Sequence, residues 1–376
     1  MGTRRWLGTI VACVLGSLLF APAAHAGDPF FGLFASNMSR PADQLAAQMN
    51  AHAATGVGVV REHLHWDRIE RAPGWFDWRD SDALFSAAAQ RGMTVLPVIV
   101  DTPQFYSTRP EGVTTSGWPP SNPVHIKRFM TELARRYGAR GTYWGCLLPQ
   151  YGLLCRRPYT PVRAWQVWNE PDLLAWWRTG PDAHAYTALL RQAYEGLKAG
   201  DPSAEVVLGG LTVRVVVRGG FLDQLYQAGA APYFDTLAVH PYAGSSGGVL
   251  YHLGTIRQIA TEYGDGAVPI RVTEYGYATG GTQMWVVDPQ CQAALLARTT
   301  RELSARRAEL GLRSIVQFFW QDTSTDPTLS WPHHAGMLWI DGSAKPALAA
   351  FADAVLNRPQ GPGLVVEEVC PERHWG

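Results

Sequence analysis

Residues Val57-Gly58-Val59-Val60-Arg61-Glu62-His63-Leu64-His65 form a β-rich run, an Ala/Leu/Arg-rich amphipathic stretch follows it to Gly92, and Thr94-Val95-Leu96-Pro97-Val98-Ile99-Val100 form a second run. This order predicts a strand, a crossover helix and a second strand parallel to the first. Working outward, the same alternation recurs at intervals of roughly forty residues. The further strand runs are 30–37, 164–169, 205–211, 236–240, 270–274 and 315–320. Helix starts stand at Pro41-Ala42-Asp43, Asn122-Pro123 and Asp288-Pro289, where a capping side chain or a proline suits a first turn. Gly92, Gly138, Gly200 and Gly311 mark helix ends.

Eight strand-helix units predict a (β/α)8 TIM barrel, an α/β fold, over residues 27–356. The rival, an open doubly wound sheet for a dinucleotide, lacks its GxGxxG turn after the first strand. No linker divides the barrel, so a single domain with a C-terminal tail at 357–376 is expected. Long loops at 102–120, 243–248, 280–287 and 322–336 decorate the C-terminal ends of the strands, and the Gly/Ser-rich 243–248 reads as a mobile one.

The chain has 376 residues, 47% hydrophobic and 17% charged, which excludes a disordered or fibrous protein. Lys+Arg and Asp+Glu number 32 each, so no basic surplus is left to neutralise phosphates. That argues against a dedicated nucleic-acid or anionic-membrane binder. The 15 Trp, 14 Tyr and 13 Phe include many beside Gly, Pro or polar residues. Most such rings serve core and interface packing, and their flat apolar faces with a polar edge also suit the stacking of sugars.

Residues 1–26 read as a cleaved secretory signal: Arg4 and Arg5, an apolar stretch from Ile10 to Phe20, and Ala24-His25-Ala26 as the cleavage box. Thr3-Arg4-Arg5-Trp6-Leu7 leaves both general and twin-arginine export open. The expectation is a soluble, secreted or periplasmic chain with no membrane span. Cys13 leaves with the signal, and Cys146, Cys155, Cys291 and Cys370 remain. Four cysteines permit three pairings in an oxidising compartment. Cys146 with Cys155, which bracket one compact loop, and therefore Cys291 with Cys370 are favoured over a zinc site, whose CxxC or His spacing is missing.

In a barrel, function sits at the C-terminal strand ends. There the chain places Arg61, His63 and His65, then Asn169 and Glu170, then His240 and Tyr242, then Glu274, and finally Trp320. Arg61, His63 and His65 alternate along one strand and so share a face. Asn37-Met38-Ser39, a glycosylation sequon, falls at the end of the first strand and reads as a polar wall residue.

Trp168-Asn169-Glu170-Pro171 and, one hundred residues later, Val272-Thr273-Glu274-Tyr275-Gly276 resemble the clan A retaining glycoside hydrolases. In that clan the acid/base and nucleophile glutamates follow strands 4 and 7. Val60-Arg61-Glu62-His63, Trp66-Asp67-Arg68-Ile69-Glu70, Gly74-Trp75-Phe76-Asp77-Trp78 and His240-Pro241-Tyr242 are similar to members, family 39 and its relatives most of all. The segment beyond about Ala354 matches nothing in the resemblance. The resemblance implies a secreted O-glycosidase acting on a neutral poly- or oligosaccharide by double displacement. Glu170 would be its acid/base and Glu274 its nucleophile, and no cofactor or metal is called for.

The same resemblance makes Asn169 the partner of the sugar 2-hydroxyl, Arg61 the group that orients the nucleophile, His63 a wall or substrate contact, and Trp320 the aromatic floor of the sugar subsite. His240 and Tyr242 complete the substrate-binding set. Two carboxyl groups about 5 to 5.5 Å apart suit retention, one protonating the departing oxygen and one attacking. Glu170 would stay neutral through the negative charge of Glu274, and Glu274 would stay ionised if Arg61 and the Tyr242 hydroxyl point at it. Loop residues Trp118, Trp176, Trp177, Trp285 and Trp331 are candidates for further subsites as well as for packing. Two rivals stand beside this reading: a catalytically inactive sugar-binding barrel, and a metal-dependent hydrolase using His63 and His65 with His240 and Asp322. A monomer is expected; sugar identity, and endo or exo action, stay open.

Overall fold

Among the described residues, eleven strands carry the fold: β1 (Asp28–Phe34), β2 (Val57–His65), β3 (Glu70–Ala72), β4 (Trp75–Phe76), β5 (Thr94–Val100), β6 (Ala164–Val167), β7 (Glu205–Val207), β8 (Leu211–Thr212), β9 (Leu237–His240), β10 (Ile270–Tyr275) and β11 (Leu312–Gln317). The structure is a computed structural model that describes residues 27–35, 41–213, 218–282, 286–361 and 363–370. The leader 1–26, Asn37 of the sequon and Trp285 lie outside them. β3 and β4 pair as a small antiparallel hairpin; the other nine strands form one sheet in the order β7-β6-β5-β2-β1-β11-β10-β9-β8.

Every pairing in the large sheet is parallel, and helices connect most successive strands. Parallel strands are buried on both faces, which explains why every residue of β5 after Thr94 is buried. The two end strands, β7 and β8, follow one another in the chain. They are separated by Leu208-Gly209-Gly210, and the isolated parallel bridges Asn169 to Gly210 and Val207 to Thr236 lie across this break. The sheet is thus curled like a barrel whose ladder is not continuous at this point. Residue 210, at this break, carries no side chain, and a Cβ there would lie 2.1 Å from His240 Nε2. Only glycine lets the backbone pass the imidazole.

The inner face has layers. Val59, Leu96, Ala164, Val207 and Ala238 form a small apolar cluster contributed by five strands. Two residues further along β2 and β6 stand Arg61 and Gln166, both fully buried, and two beyond Arg61 stands His63. Alternation thus lifts each strand from an apolar floor to a polar layer and then to the mouth. On the outside, the helix Val124–Tyr137 buries Ile126, Phe129, Met130, Leu133, Ala134 and Tyr137, the spacing of one apolar helical face. Asp288 caps the helix Pro289–Ala305 through bonds of 2.9 Å from the Gln290 and Cys291 amides.

The disulfides are Cys146 to Cys155 and Cys291 to Cys370. The second ties the tail, with its short helix Val366–Val369, to the helix Pro289–Ala305. Residues 243–248, read as a mobile loop, are instead largely a helix start: Ser245 caps Ser246–Glu262 and accepts the Gly248 amide at 3.2 Å. The capping hydroxyl outweighs the local Gly/Ser composition. No described helix is long and apolar enough to cross a membrane.

Candidate active site

A cavity of about 510 Å³ opens at the C-terminal strand ends, with Asn169, Glu170, His240, Tyr242 and Glu274 in its wall. Beneath them lies Arg61. Its Nη1 donates to Glu274 Oε1 at 2.6 Å, its Nη2 to Asn169 Oδ1 at 2.8 Å and its Nε to Gln166 Oε1 at 3.0 Å. A buried guanidinium satisfied on all three nitrogens is a rigid support. The Tyr242 hydroxyl donates to the other Glu274 oxygen at 2.8 Å. Glu274 is therefore held at both oxygens by donors. Burial, joined by the Glu274 carboxylate, pushes the Tyr242 hydroxyl well above its usual range, so it remains a donor.

Glu170 has a different environment. Burial pushes its carboxyl up to about 7, against the opposing effects of Arg61 and a hydrogen bond from Trp176. This corrects the cause expected from sequence, the charge of Glu274. Arg61 sits 2.6 Å from Glu274 and offsets that charge, leaving desolvation to act on Glu170. Oε1 of Glu170 lies 2.7 Å from His240 Nδ1, and His240 Nε2 lies 3.0 Å from the Thr273 hydroxyl. Burial holds the fully enclosed His240 ring down at about 4, with Glu274 opposing and Arg61 assisting, so the imidazole is neutral at pH 7. One oxygen of Glu170, one oxygen of Glu274 and one His240 nitrogen all lie within 4.8 Å of each other.

Local backbone conformation aims these groups. Trp168 and Glu170 adopt φ of 71° and 39°, a region that non-glycine residues enter only when surroundings enforce it. The Trp168 amide bonds Ile99 O at 2.9 Å, its indole donates to Trp176 O at 2.6 Å, and the Glu170 amide bonds Gly210 O at 3.1 Å. Asp172 accepts both the Thr212 amide and hydroxyl, tying the loop after Glu170 to β8.

The remaining candidates divide. His63 lines the cavity between Phe34, 5.0 Å away, and Trp176, 5.3 Å away, and its Nε2 is buried without a partner. His65 turns aside and bonds Asp101 at 2.7 Å. Trp320 is not in the cavity wall. β11 ends at Gln317, three residues short of the expected strand end, and the Trp320 ring packs against His52 of the helix Ala42–Ala54, 4.5 Å away. Phe318 takes the lining position instead. Among the loop tryptophans, Trp176 and Trp331 line the cavity. Trp177 is core, packed on Trp168 and Tyr186. Trp118 hydrogen-bonds Thr115 and does not line the cavity.

Gln166, Thr273 and Phe318 were not found from sequence. The one available signal was a polar residue, Gln166, inside the apolar run Ala164-Trp165-Gln166-Val167-Trp168. The metal arrangement is not assembled. Asp322 is engaged by Lys345 at 2.7 Å, and the two metal-capable clusters among the described residues, His65-Asp67-Asp101 and Glu170-His240-Glu274, contain neither His63 nor Asp322. In the second cluster Arg61 already occupies the Glu274 oxygen with a positive charge.

No family model matches the chain, and no curated sequence matches it. Its fold is that of several solved glycoside hydrolases. A family 39 glycoside hydrolase from the gut symbiont Bacteroides cellulosilyticus WH2 is 20% identical with a TM-score of 0.66, covering 88% of this chain and 64% of its own. A monomeric beta-xylosidase from Caulobacter crescentus CB15 is 20% identical with a TM-score of 0.61, covering 90% of this chain and 70% of its own. A GH5_18 protein from Streptomyces cattleya, solved with GlcNAc, is 16% identical with a TM-score of 0.63, covering 91% of this chain and 87% of its own. The chain spans less than two thirds of the first of these structures. At such identities the likeness is one of fold.

Proposed function

We propose that this chain is a retaining O-glycosidase of the clan A kind, with Glu170 as acid/base and Glu274 as nucleophile. The observation that carries the reading is the approach of a Glu170 oxygen to within 4.8 Å of a Glu274 oxygen, each in a different electrostatic setting. Inverting enzymes keep their carboxyl groups about 6.5–9.5 Å apart to seat a water; retaining ones do not.

In the first step Glu274 bonds to the anomeric carbon while Glu170 gives its proton to the departing oxygen, and the glycosidic bond breaks. Esterification removes the charge of Glu274, and Glu170 is left as a carboxylate. In the second step Glu170 takes a proton from water, the water oxygen bonds to the anomeric carbon, and Glu274 departs as the carboxylate that Arg61 and Tyr242 receive. His240 serves both forms of Glu170, because a neutral imidazole accepts from the acid or donates to the carboxylate. Arg61 holds Oδ1 of Asn169, which leaves the amide NH2 to donate to a sugar 2-hydroxyl. The unpartnered Nε2 of His63 is a second polar contact, and Phe318, Trp176 and Trp331 supply the apolar wall. A neutral Glu170 and a paired Glu274 fit an uncharged saccharide.

We read the chain as one (β/α)8 domain over 27–356, with a disulfide-tethered tail, exported through 1–26 and acting as a secreted monomer. The decisive test of the catalytic reading is Glu274→Gly assayed on an activated aryl glycoside. Turnover is expected to vanish and to return with azide, giving the inverted glycosyl azide. Absence of rescue, with the folded variant intact by circular dichroism, overturns the assignment.

A further inference from the structure

Far from the cleft, the disulfide between Cys146 and Cys155 closes a loop whose side chains the proposed chemistry leaves unused. Leu147, Tyr151 and Leu154 are 74%, 70% and 69% exposed, and Leu153 and Leu148 are 53% and 40% exposed. Such a concentration of large apolar side chains on a monomer's surface marks an interaction site. The loop's backbone is largely paired within itself. The Leu147 amide bonds Leu154 O and the Leu148 amide bonds Leu153 O, both at 3.3 Å. Leu153 returns the bond to Leu148 O at 3.3 Å, and the Tyr151 amide bonds Leu148 O at 3.1 Å. Internal pairing is what a segment needs before it can leave water. Gly152, at φ 63°, lets the Tyr159 ring pass beneath the turn, where a Cβ would lie 2.2 Å from that ring. The Tyr159 hydroxyl then anchors to Ala139 O at 2.6 Å. The loop is a fixed apolar tip.

Cations stand behind it. Arg140, Arg156 and Arg157 are exposed, and none makes an ion pair among the described residues. Arg157 is oriented by its bond to Tyr143 O at 2.6 Å and by the Tyr143 ring, 4.5 Å from its guanidinium. The loop leads into the start of β6, so it lies at the N-terminal ends of the strands, opposite the cleft. At that same end a cavity of about 620 Å³ is lined by Arg163, Arg307 and Arg313, with Asp28 the acidic residue in its lining. The chain's zero net charge rules out attraction by the molecule as a whole, and it says nothing of one basic end.

We propose that this end docks on an anionic lipid surface, with Leu147, Tyr151, Leu153 and Leu154 entering the headgroup boundary and Arg140, Arg156 and Arg157 meeting the headgroups. Apolar side chains and adjacent arginines each strengthen such binding, and the arginine contribution is screened by salt. The cleft then faces away from the surface. The inference does not rest on the glycosidase reading.

The test is flotation of the exported chain, its N-terminus read by intact mass so that the apolar leader is known to be gone. Vesicles of equal phosphatidylglycerol and phosphatidylcholine are compared with phosphatidylcholine alone. Recovery with the anionic vesicles is expected, about tenfold weaker on phosphatidylcholine and lost in high salt. Leu147→Ser with Leu154→Ser, and separately Arg140→Glu with Arg156→Glu, are each expected to lower partitioning about tenfold with the melting temperature unchanged. All four positions are exposed, so both pairs are expected to fold. Failure of the parent chain to float with anionic vesicles overturns the proposal, as does flotation of both double variants equal to that of the parent. Lipid-free self-association that Leu147→Ser with Leu154→Ser abolishes also overturns it, since the face would then be a contact between two copies.

Discussion

His240 Nδ1 stands 2.7 Å from Oε1 of Glu170. The ring is fully buried, packs against the backbone of Gly210, and is neutral at pH 7 because burial holds it down at about 4. It covers one side of Glu170 while remaining a partner for either protonation state. His240→Ala is expected to admit water, to move the alkaline limb of kcat/KM from near 7 toward ordinary carboxylate values, and to lower kcat by about 100-fold. A pH–rate profile checks this; an unmoved limb would assign it to another group.

In the proposed mechanism, the proton given by Glu170 matters most when the departing alcohol is a poor leaving group. Glu170→Ala is therefore expected to slow an unactivated glycoside by about 10²–10⁴-fold and to slow a dinitrophenyl glycoside much less. Comparing single-turnover rates on the two substrates measures the difference, and equal losses would remove Glu170 from the acid role.

Stability carries the same signature. The folded chain holds the Glu170 proton up to about 7, whereas an unfolded chain releases it near the ordinary glutamate value of 4.5. Raising pH through that window removes stability, because the folded state binds more protons there. Glu170→Gln cannot ionise, so it is expected to melt close to the parent near about pH 5 and to exceed it by about 2–3 kcal/mol near about pH 8. Thermal melts of both proteins across pH test the sign.

Arg61 supports three acceptors at once, Glu274, Asn169 and Gln166. Arg61→Met leaves the Glu274 carboxylate buried without its cation, an expected loss of about 3–5 kcal/mol. Adding Glu274→Gln to that variant removes the uncompensated charge and is expected to recover much of the loss. Denaturant melts of the two single variants and the double variant give the coupling.

Phe318 and Trp320 separate two readings of β11. Phe318→Ala is expected to lower kcat/KM by about tenfold or more, as the loss of a stacking wall does, with a modest change in melting temperature. Trp320→Phe, which alters packing on His52, is expected to change stability and leave kcat/KM within about twofold. The opposite pattern would return Trp320 to the cleft.

Much of this was readable in the chain itself. Alternating apolar runs, their length and the missing dinucleotide turn pointed to a parallel α/β sheet. A two-residue period on β2 placed Arg61 and His63 on one face, as they are found. The glutamates were legible because Trp168-Asn169-Glu170-Pro171 and Val272-Thr273-Glu274-Tyr275-Gly276 carry a family resemblance, although Glu170 lies three residues past β6 and Glu274 within β10. Phe318 was missed because no such motif marks it. The strand stops at Gln317, and nothing in Phe318-Phe319-Trp320 says which of three aromatic rings the turn will send inward.

Sequence alone determined the parallel strand-helix order and the residue types near the strand ends, because these follow from local periodicity and turn chemistry; the division of 205–211 into β7 and β8 and the hairpin β3-β4 were not read from it. Tertiary structure decided what each side chain experiences. That Glu170 is raised by burial, while Arg61 offsets the charge of Glu274, depends on which groups meet across a 213-residue separation. Desolvation and Coulomb energy are set by such distances in space, which no local pattern encodes.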